Sequence, residues 1–123
     1  MGVELERESQ TSSGEDEGRV ELRCAVCDHL LAKQARRVYP EGSHRHGKVN
    51  PYGKVFELAC FHPVTGCLGL GKPSAEFSWF EGCYWQMTVC GACQLHLGWD
   101  FSGADQFSAL IVGAYEVRSG ESN

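Results

Sequence analysis

Two Cys-x-x-Cys pairs, Cys24-Ala25-Val26-Cys27 and Cys90-Gly91-Ala92-Cys93, stand far apart in a chain of 123 residues. Four thiolates delivered as two tight pairs suit the tetrahedral Zn–S geometry of a closed structural site, and a small chain gains folding free energy from such a staple. The competing readings are a disulfide framework and a redox motif. Against them, the cysteine total of seven is odd, and the start Met1-Gly2-Val3-Glu4-Leu5-Glu6-Arg7-Glu8 lacks the apolar core of a secretory leader. The expectation is therefore an intracellular, cytoplasmic chain whose thiols stay reduced. A thioredoxin-like motif would be a single pair near a βαβ pattern, whereas here two pairs lie in strand-like surroundings. We expect one structural Zn2+ per chain on Cys24, Cys27, Cys90 and Cys93, with Cys60, Cys67 and Cys83 as small apolar residues.

Charge divides the chain. Residues 1–23 hold seven acids (Glu4, Glu6, Glu8, Glu15, Asp16, Glu17, Glu21) against Arg7, Arg19 and Arg23, with polar residues and glycine between. Residues 1–22 read as a disordered acidic arm, 23–118 as one domain and 119–123 as a disordered tail. Most of the net charge of −5 belongs to the arm, so the body is nearly neutral and offers no electrostatic footprint for nucleic acid. The longest apolar run, Ala109 to Ala114, is too short to cross a bilayer.

Eleven of the fifteen glycines and all four prolines cut the body into short pieces, and the apolar pattern within them alternates in twos. That is the strand period, and the fold class is mainly β. Val55 to Phe61, Trp85 to Val89, Leu95 to Phe101 and Leu110 to Val117 read as strands, with Leu95, Leu97, Trp99 and Phe101 on one face. Cys27 to Val38 reads as a short helix or an irregular extension of the first pair. Catalytic signatures are thin: there is no P-loop, G-x-S-x-G or H-E-x-x-H sequence. His44 and His46 lie in the polar loop Gly42-Ser43-His44-Arg45-His46-Gly47 and read as exposed, since one His-x-His does not complete a metal site. Glu76 stands in an aromatic-rich segment without a carboxylate partner, weak ground for acid–base chemistry. The chain is read as a non-enzyme, although spacing alone leaves a cysteine nucleophile open.

Trp79, Trp85 and Trp99 fall within one short stretch. Tryptophan most often packs a core, and Leu95 and Leu97 beside Trp99 favour burial. The other reading is a ligand cage, in which rigid rings supply apolar contact and a few polar groups fix orientation. The segment Gly71-Lys72-Pro73-Ser74-Ala75-Glu76-Phe77-Ser78-Trp79-Phe80-Glu81-Gly82-Cys83-Tyr84-Trp85, followed by Cys90-x-x-Cys93-x4-Gly98-Trp99-x-Phe101, closely resembles the thalidomide-binding domain of the cereblon family, the CULT domain. With Asn50-Pro51-Tyr52-Gly53 and both cysteine pairs, the resemblance covers about residues 22–118.

The resemblance implies a β-tent fold, two antiparallel sheets pinned by a four-cysteine zinc site, with Trp79, Trp85 and Trp99 as an aromatic cage. In the family the cage holds a glutarimide or related cyclic imide, as in thalidomide and its analogues, with the imide bonded by backbone groups that match Phe77 and Trp79. Ser78 lies in the same turn, Asn50 and Pro51 form the rim, and Phe101 and Phe56 close the wall. Partners by resemblance are small cyclic imides, a C-terminal cyclic imide on a damaged protein, a pyrimidine nucleoside or a small metabolite. Adaptor binding and membership of a ubiquitin ligase are not implied, because the chain has no room for the protease-like and helical domains that accompany this domain in the family. One departure concerns the residue after the cage glycine, commonly Tyr but here Cys83, with Tyr84 displaced by one. A strand starting at Cys83 keeps Trp85 on its face and moves Tyr84 to the other. Another is Phe77, a histidine in some relatives, where main-chain bonding needs no side chain.

Three other readings compete. Methionine sulfoxide reductases of the B type share the double pair and a related fold, but need a reactive cysteine on a late strand. After Cys93 there is none, so Cys60, Cys67 or Cys83 would have to substitute. Yippee-like proteins share Cys-x-x-Cys-x4-Gly-Trp but fit the Trp79 and Trp85 segment less well. A methyl-lysine or quaternary-ammonium reader is chemically credible, since indole faces attract cations.

Overall fold

The computed structural model describes residues 19–119. The arm expected over 1–22 thus lies outside the described residues up to position 18, as does the tail from 120 onward. Two antiparallel sheets make the fold. The smaller is built from β1 (Val20–Cys24), β2 (Leu30–Lys33) and β9 (Tyr115–Ser119), in the order β9-β1-β2. The larger contains β3 (Arg45–Val49), β4 (Val55–Phe61), β5 (Cys67–Ser74), β6 (Cys83–Cys90), β7 (His96–Gly103) and β8 (Phe107–Ile111), in the order β3-β4-β8-β7-β6-β5.

β1 corrects the expected boundary at residue 22. Leu22 is fully buried and pairs with Ala32 and Val117, so the sheet, not the arm, holds Val20 to Leu22. Glu21 is buried too, because Arg23 bonds its carboxylate at 2.7 Å and Lys33 approaches at 3.4 Å. The Arg23 hydrogen bond, more than any other contact, holds the Glu21 carboxyl below its ordinary value. Ser119, assigned to the tail, likewise belongs to β9, opposite Val20. The stretch Leu110 to Val117, expected as one strand, is two: Gly113 turns the chain at φ 103°, and β8 and β9 enter different sheets. Cys27 to Val38 holds β2 followed by a 3-10 helix over Gln34–Arg36, so the short helix is present as a single turn and the strand before it was not foreseen.

Buried side chains collect on the two faces of the larger sheet. One cluster lies between the sheets: Leu22, Leu31 and Ala32 from the smaller meet Ala59, Phe61, Leu97 and Leu110 from the larger. The other covers the far face with Phe56, Leu58, Cys60, Phe80, Trp99, Phe101 and Phe107. Alternation along β4 and β8 distributes residues to the two clusters as the strand period requires. β7 breaks the rule. Thr88 pairs with Gly98 but Val89 pairs with His96, leaving Leu97 as the extra residue of a bulge. Leu97 therefore enters the cluster between the sheets while Trp99 and Phe101 enter the other, so the expected shared face of Leu97 and Trp99 is not formed. Gly98 is required there, because a Cβ would collide with the Ala109 carbonyl oxygen across the ladder.

Candidate functional site: a four-cysteine seam and a tryptophan-lined cavity

Each Cys-x-x-Cys pair forms the turn of a hairpin, one joining β1 to β2 and the other β6 to β7. The two turns have the same internal bonding. Cys24 N–H donates to the His29 carbonyl and Asp28 N–H to Cys24, just as Cys90 N–H donates to Leu95 and Gln94 N–H to Cys90. Asp28 and Gln94 both take left-handed backbone, φ 68° and 69°. Val26 N–H and Ala92 N–H point at the sulfurs of Cys24 and Cys90, each at 3.4 Å. These turns bring all four Sγ atoms within 4.8 Å of one another, with Cys24 against Cys93 and Cys27 against Cys90 at 3.6 Å. Four sulfurs around a tetrahedral zinc lie about 3.8 Å apart. The four cysteines can bind a metal, and this is the one such cluster among the described residues. Their protonation is interlocked. The His29 backbone bond lowers Cys27, yet burial and the other three thiols push it up to about 12, while Cys90, despite its burial, is drawn down to about 7 by the Cys93 and Ala92 amides.

The second feature lies on the far face of the larger sheet. Register places Trp85 opposite Phe101 and Met87 opposite Trp99, so these four side chains share one face of β6 and β7. β6 starts at Cys83, which is buried, while Tyr84 is exposed and Trp85 keeps its place facing the cavity. The loop after β5 carries Phe77 and Trp79 over this face, and the turn after β3 carries Asn50, Pro51 and Tyr52. Together they enclose a cavity of about 500 Å³. Trp99 is 8% exposed and meets Trp79 edge to face at 4.8 Å, Phe56 at 5.0 Å and His96 at 4.8 Å.

Both outer indoles are anchored through their N–H groups. Trp79 Nε1 donates to the Val49 carbonyl at 3.0 Å and Trp85 Nε1 to the Glu76 carbonyl at 2.6 Å. Asn50 shapes the opposite rim by accepting from the Tyr52 and Lys54 amides through Oδ1, both at 2.9 Å. Phe77 is strained: its φ of 58° is left-handed, uncommon for a residue with a Cβ, and such strain persists where the surroundings enforce it. No protein group among the described residues hydrogen-bonds the Phe77 or Trp79 main chain.

Of the residues singled out from sequence, Asn50, Pro51, Phe77, Trp79, Trp85, Trp99 and Phe101 line this cavity. Phe56 and Ser78 do not. Phe56 packs behind Trp79 and Trp99, and the Ser78 hydroxyl turns back to donate to the Phe80 carbonyl at 3.0 Å. Tyr52 and Met87 were missed; for Met87 the signal was its alternation with Trp85. His44 and His46 are half-buried, not exposed as expected, because their ring nitrogens meet the carbonyls of Val38, Pro40 and Ser43 and their rings meet Phe61 and Phe80. Glu76 serves the site through its carbonyl. Burial pushes the Cys60 and Cys67 thiols up to about 12, the opposite of an activated nucleophile.

No family model matches the chain. Three curated relatives, each called protein cereblon, are similar to it. The Drosophila grimshawi protein is 30% identical over 82 residues, 66% of this chain. The Danio rerio protein is 39% identical over 54 residues, or 44%, and the Drosophila melanogaster protein 30% over 78 residues, or 63%. In all three the match spans 12% of the relative's length, so the chain corresponds to a small part of those proteins. With its two antiparallel sheets, its four-cysteine seam and these relatives, the chain is similar to one part of the cereblon proteins, a cereblon-like domain of the CULT type.

Proposed function

We propose that the chain is a binding module, not an enzyme, whose three-indole cavity holds cyclic imides such as glutarimide, including thalidomide and its analogues. The observation that carries this reading is the combination at one rim of apolar indole walls with the unpaired main chain of Phe77 and Trp79. A cyclic imide offers methylenes for the walls and an acceptor–donor–acceptor edge for the backbone. The indole N–H groups of Trp79 and Trp85 already have carbonyl partners, so these two rings hold the walls upright and leave the ligand to the backbone. In the same reading the metal at Cys24, Cys27, Cys90 and Cys93 is zinc, in a closed site with a scaffold role. The binding partner extends to a cyclic imide at a protein terminus.

A reader of quaternary ammonium is the rival occupant of an indole cage. Among the described residues no carboxylate lines this cavity, which favours the neutral ligand. Titrating glutarimide, N-methylglutarimide, uridine and trimethyl-lysine against tryptophan fluorescence tests the proposal. Glutarimide is expected to bind and its N-methyl derivative to lose about ten- to a hundredfold, because the methyl removes a donor and strands a backbone acceptor. Equal affinity for the two imides would remove the hydrogen-bond geometry, and tighter binding of trimethyl-lysine would replace the ligand class.

A further inference from the structure

We propose that Cys67, which is outside the four-cysteine set, is the resolving thiol of a reversible peroxide-driven modification site that ends in a Cys67–Cys90 disulfide. Cys67 opens β5 directly opposite Cys90 at the end of β6. Gly91 N–H donates to the Gly66 carbonyl at 2.9 Å, so the ladder bond flanks the pair instead of joining it. Cys67 and Cys90 therefore form a non-hydrogen-bonded antiparallel pair, for which Cα atoms lie about 4.5 Å apart and side chains are closest. That separation is within the span a disulfide bridges. Both side chains pack in the cluster between the sheets, and thus on the same face. The position of Cys67 is held firmly: Thr65 and Gly66 N–H both donate to the Leu31 carbonyl, and Gly66 lies so close to β2 that no Cβ would fit.

A second observation points to the same sulfur. Thr88 is fully buried, its Oγ1 has no oxygen or nitrogen partner, and its hydroxyl faces the Cys67 sulfur. It stands two residues from Cys90 on β6, so it shares the face of the pair and lies diagonal to Cys67. An unpaired buried hydroxyl is costly in a neutral environment. Beside a sulfur that carries charge while it attacks, the hydroxyl gains a stronger acceptor.

The chemistry closes with hydrogen peroxide as oxidant. The sulfur of Cys93, a residue at the protein surface, attacks the peroxide O–O bond, becoming a sulfenic acid as hydroxide leaves. The Cys90 sulfur displaces the sulfenic hydroxyl, giving Cys90–Cys93 and water. Cys67, buried and protonated at rest, gives its proton to the hydroxide released in the first step and attacks Cys90, and Cys93 departs as thiolate. Overall two thiols are oxidised to one disulfide and peroxide is reduced to two waters. Because Cys90 leaves the four-cysteine set, a metal held there loses a ligand and is released. Only that last consequence rests on the zinc reading.

The test treats the full chain with hydrogen peroxide, blocks free thiols by alkylation and maps peptic peptides without reduction by mass spectrometry, while a colorimetric chelator follows zinc. A Cys67–Cys90 cross-link that dithiothreitol reverses is the expected result. Cys67→Ser should stop the sequence at Cys90–Cys93. Thr88→Val should slow the final exchange about fivefold, as loss of one net hydrogen bond implies, and Thr88→Ser should restore it. A wild-type map that ends at Cys90–Cys93 or Cys24–Cys27, with Cys67 still alkylated, overturns the proposal. Absence of zinc from the untreated protein would instead overturn the metal reading, leaving the cross-link map to decide this one.

Discussion

Trp99 is both wall and core. Its indole is almost fully buried between Phe56, Trp79 and His96 yet still lines the cavity. Trp85 lines the same cavity while half-buried, with its N–H on the Glu76 carbonyl. Truncating the two should separate binding from stability. Trp99→Ala is expected to abolish glutarimide binding and to cost ~3–5 kcal/mol of stability, as large buried aromatics do. Trp85→Ala should abolish binding with a much smaller stability loss, and urea melts beside fluorescence titrations check both. A related residue effect is acid lability. Burial disfavours the charged imidazolium of His44 and His96 and lowers both pKa values, against the pull of the Val38 and Gly98 carbonyls. The unfolded chain, with histidine near ~6.5, then takes up protons first. Stability present above that pH is lost as pH falls through it toward the folded-state values. His96→Phe, which keeps a ring against Trp99, should flatten the fall in urea midpoint between about pH 7 and pH 5.

At the scale of the element, β1 decides where the fold begins. A deletion of residues 1–22 removes Leu22, the Glu21 ion pairs and three of the five residues that hold β9. It should lower the thermal midpoint and reduce the unfolding free energy measured by urea melts by the ~2–5 kcal/mol typical of losing a buried leucine, or more. A deletion of residues 1–18, which keeps β1, is the control. β1 was hard to see because its five residues, Val20-Glu21-Leu22-Arg23-Cys24, carry charge at alternate places and continue an acidic stretch. β4 was legible as Val55 to Phe61 because both clusters draw on its alternating side chains. The bulge at Leu97 was not, since Leu95, Leu97, Trp99 and Phe101 alternate without interruption and only the ladder shows where the phase resets. β5 escaped for the opposite reason: Cys67-Leu68-Gly69-Leu70-Gly71-Lys72-Pro73-Ser74 is mostly exposed, and an edge strand has little need of apolar residues. Most of the cavity lining was legible in the Trp79 to Phe101 segment. Tyr52 was not, because it is almost wholly exposed and contributes through the turn that Asn50 fixes.

For the whole molecule, the four cysteines tie together two sheets that otherwise meet through side chains and a few backbone bonds, such as those from Thr65 and Gly66 to the Leu31 carbonyl. The cluster between the sheets is built on a handful of residues, Leu22, Leu31, Ala32, Ala59, Phe61, Leu97 and Leu110. A core of that size in so short a chain supplies little margin, and domains of this kind commonly depend on a metal or covalent tie. Each knuckle ends one hairpin, so a metal at Cys24, Cys27, Cys90 and Cys93 fixes the smaller sheet to the β6–β7 hairpin that carries Trp85 and Trp99. Without it, four thiols held within 4.8 Å must share protons in place of a common cation, and β6 and β7 lose their anchor at the end nearest the bulge. Removing the metal should therefore unfold the body instead of merely weakening binding. Chelation, or Cys90→Ser, is expected to abolish the cooperative thermal transition and the near-ultraviolet dichroism of the tryptophans together, and zinc readdition should restore both in the chelated wild type. A verified metal-free sample that still melted cooperatively and bound glutarimide would show that packing and backbone bonds join the sheets without a metal.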